Sequence, residues 1–167
     1  MSKGIILVIS LVLSVSINAQ NEKPIRDNFE LSIAVDSLTF YQQDVSKSPY
    51  FVKDKVLQIY PSENLFIETE IKGDSIHSMK VVKENLFPDK TIIVKFTQKV
   101  ENRNHDGMML SMKNPFDKTL TYEALMYING GTKWISTSII PIMPNLVNYE
   151  LWSDVILSLV LVEWKIE

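Results

Sequence analysis

Two histidines, His77 and His105, are the only imidazoles in the chain, and there is no cysteine. With a carboxylate such as Asp106 or Glu70, the pair could complete a three-ligand zinc site. No ligand spacing supports that chemistry. His105 falls in a turn signal and His77 in a strand pattern, so both read as surface polar residues. Asn102, Asn104 and Asp106 alternate oxygen-bearing side chains as at the start of a calcium loop, and Gly107 follows. The later Glu such a loop needs is missing, because Leu110 to Lys113 offers no carboxylate, and turn chemistry accounts for the same residues. No metal and no other cofactor is expected.

Glu68 and Glu70 share one face of an alternating segment. A glycosidase needs two carboxylates on either side of a scissile bond. Neighbours on one strand face do not straddle a sugar and read as a solvated face. Nucleophilic chemistry has no candidate: there is no Gly-x-Ser-x-Gly elbow and no Gly-rich phosphate loop after a strand. A non-catalytic role is therefore the expectation. The remaining candidates are aromatic. Trp134, Trp152 and Trp164 could stack on sugar rings, as could Tyr127 and Tyr149. Trp164 shares its alternating face with Ile156, Val160, Val162 and Ile166, which places it in the core. Trp134 follows an Asn-Gly-Gly turn and Trp152 stands in an irregular segment, so these two, with Tyr149, are the candidate ligand contacts. The alternative is that both tryptophans fill the sandwich ends. Tyr50-Phe51 is a second candidate patch, in a polar loop over 42–55.

These residues must be positioned by strands. Phe29, Leu31, Ile33 and Val35 alternate with polar or small residues. Val56 to Tyr60 stops at Pro61. Leu65 to Ile71 and Ile76 to Lys83 flank Gly73-Asp74 and read as a hairpin. Ile92, Val94, Phe96 and Val100 line one face of the segment after the Pro88-Asp89-Lys90 turn. Asn104-His105-Asp106-Gly107 reads as the next hairpin turn, with Met108, Leu110 and Met112 on the return. Asn114-Pro115 breaks that strand, Leu120 to Ile128 alternates, and Asn129-Gly130-Gly131 turns the chain into 132–140. Over nine residues, Asn114 to Tyr122 resembles the Asn-Pro loops of exported immunoglobulin-like domains, and no functional residue is carried over from it. Pro141 and Pro144 suggest a crossing between sheets. Asn148 to Asp154 reads as one helical turn, and Val155 to Ile166, apolar on both faces at first, as a central strand.

Eight or nine short strands at regular spacing predict an all-β protein. The preferred architecture is an immunoglobulin-like antiparallel β-sandwich, with a closed lipocalin-like barrel as the runner-up. Residues 29–167 form the single domain, and 20–28 read as a polar tether. Ahead of it, Lys3, an apolar run from Ile5 to Ile17 and Asn18-Ala19-Gln20 have the form of a cleavable leader. The run is shorter than the roughly 20 residues of a spanning helix. The leader resembles those of bacterial exported proteins, and the cut is placed between Ala19 and Gln20.

Removing residues 1–19 leaves 148 of 167 residues, and losing Lys3 takes the formal charge from −3 to −4. That length suits one domain held by packing without disulfides. Charges of both signs are interspersed, without the clustered basic footprint of a nucleic-acid binder or of a membrane-surface patch. The expectation is an exported chain, periplasmic or extracellular, with no stable membrane insertion after cleavage. It would act as a binding or structural module of the cell envelope, contacting a protein or a glycan. The alternative is an exported small-ligand carrier or hydrolase on a barrel-like scaffold.

Overall fold

Period-two alternation of apolar side chains organises this chain, and a computed structural model shows its outcome over residues 24–167. The expected leader and its cut between Ala19 and Gln20 lie outside the described residues. The strands are β1 (Ile25–Arg26), β2 (Phe29–Ala34), β3 (Phe40–Val45), β4 (Ser48–Pro49) and β5 (Phe51–Lys53). They continue as β6 (Val56–Ile59), β7 (Asn64–Lys72), β8 (Ser75–Val82), β9 (Thr91–Glu101) and β10 (Asn104–Lys113). The last four are β11 (Leu120–Ile128), β12 (Ile135–Thr137), β13 (Val147–Trp152) and β14 (Ile156–Ile166). There is no helix among the described residues.

Two five-stranded antiparallel sheets carry the fold. One has the order β13-β10-β9-β7-β8 and the other β12-β11-β14-β6-β5. Each sheet ends in two edges, so the arrangement is a sandwich and not the closed barrel held as runner-up. Phe96, Met108, Leu110 and Met112 of the first sheet and Leu57, Ile59, Leu159 and Leu161 of the second are almost completely buried in one cluster between the layers. A third layer covers only one side. The β2–β3 hairpin lays Leu31, Ile33 and Val45 over Leu157 of β14, with Tyr60, Tyr127 and Val155 packed around them.

The final strand lies in the middle of its sheet, between β11 and β6. The Pro141–Pro144 segment does cross between sheets, from β12 to β13. The strand count exceeds eight or nine because four elements are only two or three residues long and because β3 and β13 stand where a loop and a helical turn were expected. Four local readings change. The 42–55 segment is not a loop: β3 pairs with β2, and β5 with β6. Residues 148–154 do not make a helical turn, because β13 pairs with β10 from Val147 to Trp152. The β9–β10 turn is Asn102-Arg103, both at positive φ, with Glu101 opposite Asn104. Asp106 is the extra residue of a bulge between His105 and Gly107. Gly107 takes φ 130°, and a Cβ there would stand 3.0 Å from the Trp152 carbonyl oxygen, so β13 can approach only a glycine. Finally, the β11–β14 register slips near Glu163, which has φ 54°. Trp164 is buried as expected, but its core companions up the strand are Leu159 and Leu161 rather than Val160 and Val162.

The start of the described chain is pinned to the sandwich. Residues 20–28 read as a tether, yet from Pro24 onward they carry β1, and the Arg26 side chain is 3% exposed. Its guanidinium grips Glu63 through Nε to Oε1 (2.5 Å) and Nη2 to Oε2 (3.1 Å), and Nη2 also donates to the Gln58 carbonyl (2.7 Å). It lies over the rings of Tyr50 and Tyr60. A bidentate Arg–carboxylate fork with remaining donors satisfied is the arrangement in which a buried charge is tolerated.

Candidate functional site

Asn114 sets the geometry of the region where the candidate residues gather. An Asn before Pro favours a turn, because its side chain can accept from the backbone two residues on. Here Asn114 Oδ1 accepts from Phe116 N–H (2.9 Å). Its Nδ2 donates to the carbonyls of Lys118 (2.7 Å), Ile142 (2.9 Å) and Met143 (3.2 Å). Its own N–H donates to the Leu146 carbonyl (2.9 Å). One fully buried amide thus ties the crossing segment to the end of β10. The spacing rules for catalysis and metals do not flag such a residue; the turn signal at Asn114-Pro115 was the available hint.

The segment so fixed is apolar and exposed. Ile140, Met143 and Leu146 precede β13, and Val147, Tyr149 (58%) and Leu151 (62%) continue along it. β13 is an edge strand. Val147, Tyr149 and Leu151 stand opposite Lys113, Ser111 and Met109, on the outer face of the sheet. Asn148 and Glu150 point to the inner side, where Asn148 Nδ2 donates to Glu150 Oε1 (2.8 Å) and Ile140 N–H donates to the same oxygen (2.9 Å). The pattern inverts the usual half-buried strand: polar side chains face inward and apolar ones face water.

The candidate aromatics do not converge. Tyr149 is exposed on β13. Trp152, on the same strand but with opposite parity, is half-buried against the core, and its Nε1 donates to Thr137 Oγ1 (3.0 Å) across the two sheets. Trp134 lies just before β12 on the other sheet, 40% exposed, with its ring 5.4 Å from that of Tyr127. Trp164 stacks on Tyr122 at 5.2 Å inside the sandwich. Tyr50-Phe51 is no surface patch: Phe51 belongs to the core, and Tyr50 lies under Arg26.

The polar candidates have structural partners. Gln98 Nε2 meets His105 Nδ1 at 2.8 Å, and His105 Nε2 meets the Ser153 carbonyl at 3.0 Å. An amide nitrogen can only donate, so the ring carries its proton on Nε2 and gives it to Ser153. The same Gln98 closes a two-bond pair with the Ala34 backbone, 3.0 Å from N–H to Oε1 and 2.7 Å from Nε2 to O. Both His105 nitrogens are therefore engaged, and His77 is exposed on β8. No group of three His, Asp or Glu side chains is placed to hold a metal ion among the described residues.

Glu68 and Glu70 border a cleft of about 840 Å³ whose lining includes Phe51, Ile71, Met79 and Lys80. Burial pushes the Glu68 carboxyl up, but Lys90 and Lys80, each 3.3 Å from Oε1, outweigh it and hold the group below its ordinary value. Glu70 is lowered by the Ser78 hydroxyl and then by Lys72. Both carboxylates stay ionised, whereas glycoside hydrolysis needs one raised to serve as the acid.

No protein-family model, curated protein or solved structure matches the chain. The functional reading accordingly rests on this geometry.

Proposed function

We propose that the mature chain is an exported, non-catalytic sandwich of immunoglobulin-like architecture that serves as a binding or interaction module of the bacterial cell envelope, periplasmic or extracellular. The observation that carries this reading is the row of apolar side chains Val147, Tyr149 and Leu151 exposed along one face of the β13 edge, a strand whose start the Asn114 clamp fixes. Contiguous exposed apolar side chains rimmed by polar ones mark contact surfaces in soluble proteins. The partner is a protein or a glycan of the envelope, and Tyr149 is the aromatic placed to meet it.

Capture from the envelope fraction of the source cells tests the reading, with wild type compared with a Tyr149→Ser/Leu151→Ser variant. The expected result is a discrete component retained by wild type and lost by the variant. Equal capture by both, or turnover of a substrate by the purified protein, would overturn it. A second reading, a small-ligand carrier, draws on the cleft beside Phe51, Ile71 and Met79. Native mass spectrometry separates the two: a co-purifying small molecule supports the carrier, and a bare mass supports the interaction module.

A further inference from the structure

We infer that β13 accepts an additional strand from a partner protein, an extended segment in which acidic and apolar side chains alternate. This rests on the reading of the chain as an interaction module and names the partner's chemistry. The first support is the backbone. Asn114 N–H bonds to the Leu146 carbonyl, and Lys113 stands opposite Val147. Bonded pairs recur at every second residue of an antiparallel ladder. Asn148, Glu150 and Trp152 therefore face β10, and the main-chain groups of Val147, Tyr149 and Leu151 point outward along the edge. Among the described residues no backbone partner meets those three. A row of open donors and acceptors recognises another peptide backbone, which a sugar chain does not supply.

The second support is charge. By register, Lys113 of β10 and Lys95 and Lys99 of β9 share the outer face with Val147, Tyr149 and Leu151. None of the three lysines makes an ion pair among the described residues. The carboxylates of that face stand away from β13: Glu68 is held by Lys80 and Lys90, Glu70 by Lys72 and the Ser78 hydroxyl, and Glu101 ends β9. A second copy pairing edge to edge would bring the same lysines to one continuous surface with no carboxylate to match them. An incoming strand with acidic residues supplies the match, and its apolar residues cover Tyr149 and Leu151.

The test uses the mature chain and a synthetic peptide of about eight residues alternating glutamate with valine, beside a counterpart with lysine in place of glutamate. Amide exchange followed by NMR is the readout. The expected result is slowed exchange at Val147, Tyr149 and Leu151 with the acidic peptide only. Lys95→Glu/Lys113→Glu should weaken it about tenfold. Tyr149→Pro should abolish it while leaving the fold intact, because that N–H makes no ladder bond. Equal binding of both peptides, protection elsewhere, or no protection at those amides overturns the inference. So does concentration-dependent protection without peptide, which would assign the edge to a second copy. Polygalacturonate that perturbs Lys95 and Lys113 without protecting the edge amides would assign the face to an acidic glycan. If the peptide fails while Tyr149→Ser/Leu151→Ser still loses envelope capture, only strand addition falls. If capture is also indifferent to that variant, the interaction module falls with it.

Discussion

The two outer faces of the sandwich are treated differently by the same chain. Over the sheet that contains β14, the β2–β3 hairpin buries Leu31, Ile33 and Val45 against Leu157. It is pinned on either side of β2, by Arg26 on Glu63 before it and by Ala34 on Gln98 at its end. Over the sheet that contains β13, the strands alone are present among the described residues, and Tyr149, Leu151 and three lysines that make no ion pair among those residues meet solvent. The charged and polar groups that pin the cover are matched within the molecule, while on the bare side Glu68 and Glu70 are matched but Lys95, Lys99 and Lys113 have no ion-pair partner among the described residues. Removing a matched group should cost stability. Removing an open one should cost association.

Arg26→Met should give the largest loss, about 3–5 kcal/mol, because Glu63 would remain largely buried without its counter-charge. Denaturant unfolding measures it, and a loss under 1 kcal/mol would mean that water reaches the pair. Ile33→Ala comes next, at about 3 kcal/mol, from lost transfer energy and the cavity left over Leu157. A similar loss on truncating Tyr149 would erase the distinction between the faces.

Much of the covered core was legible in the sequence, because alternation at Leu31 and Ile33, at Ile92 to Phe96 and at Met108 to Met112 reports burial directly. The cover's other strand was not. β3 is the outermost layer, so Gln42, Gln43 and Asp44 stay in water, and a polar run reads as a loop. Arg26 hid for a related reason: a charged residue in a polar stretch gives no sign that a carboxylate 37 positions away will bury it. On the bare side, β13 has a clear period of two, but its apolar members face water, so alternation alone could not orient it. The Glu163 bulge left no trace either, because Val160, Leu161 and Val162 before it are apolar on both faces and so do not fix the phase of the alternation that follows. Of the candidate contacts, sequence could name Tyr149 and Trp152 as aromatics of one segment but could not separate the exposure of the first from the half-burial of the second.

His105→Ala tests the second pin of the cover. It deletes the acceptor for Gln98 Nε2 and the donor to Ser153, and should cost about 1–2 kcal/mol. Exchange at the β2 amides should rise more than at β13, and uniform acceleration would show that the network is not specific to the hairpin. A smaller effect concerns pH. Burial first, then the Glu150 charge, hold the Tyr122 hydroxyl far above its ordinary value of 10.0. The folded chain thus keeps a proton that the unfolded chain releases. This contribution is fully present below about pH 10 and drains as the pH rises toward the folded value. Wild type should lose up to about 1.4 kcal/mol per pH unit in that range through this one group. Tyr122→Phe should flatten the profile, although Tyr50 and Tyr60, also raised mainly by burial, leave a residual slope. An unchanged slope in the variant would show that Tyr122 ionises without strain.

Tyr149→Ser/Leu151→Ser should change stability least. Both side chains are more than half exposed, and surface substitutions of this kind stay within about 0.5 kcal/mol. Ser is a poorer strand former than Tyr, but Lys113 to Met108 and the inward Asn148 and Glu150 still fix the register of β13. The thermal transition should therefore coincide with that of wild type. Binding at this face should be lost, since the two residues supply the apolar surface that a partner would cover. Stability and association respond in opposite order to Ile33→Ala, which unfolds the cover and leaves the β13 edge in place. A chain with Ile33→Ala that remains folded at low temperature should still bind there. If it does not, the two faces are coupled, and the cover shapes the bare side through the sheets between them.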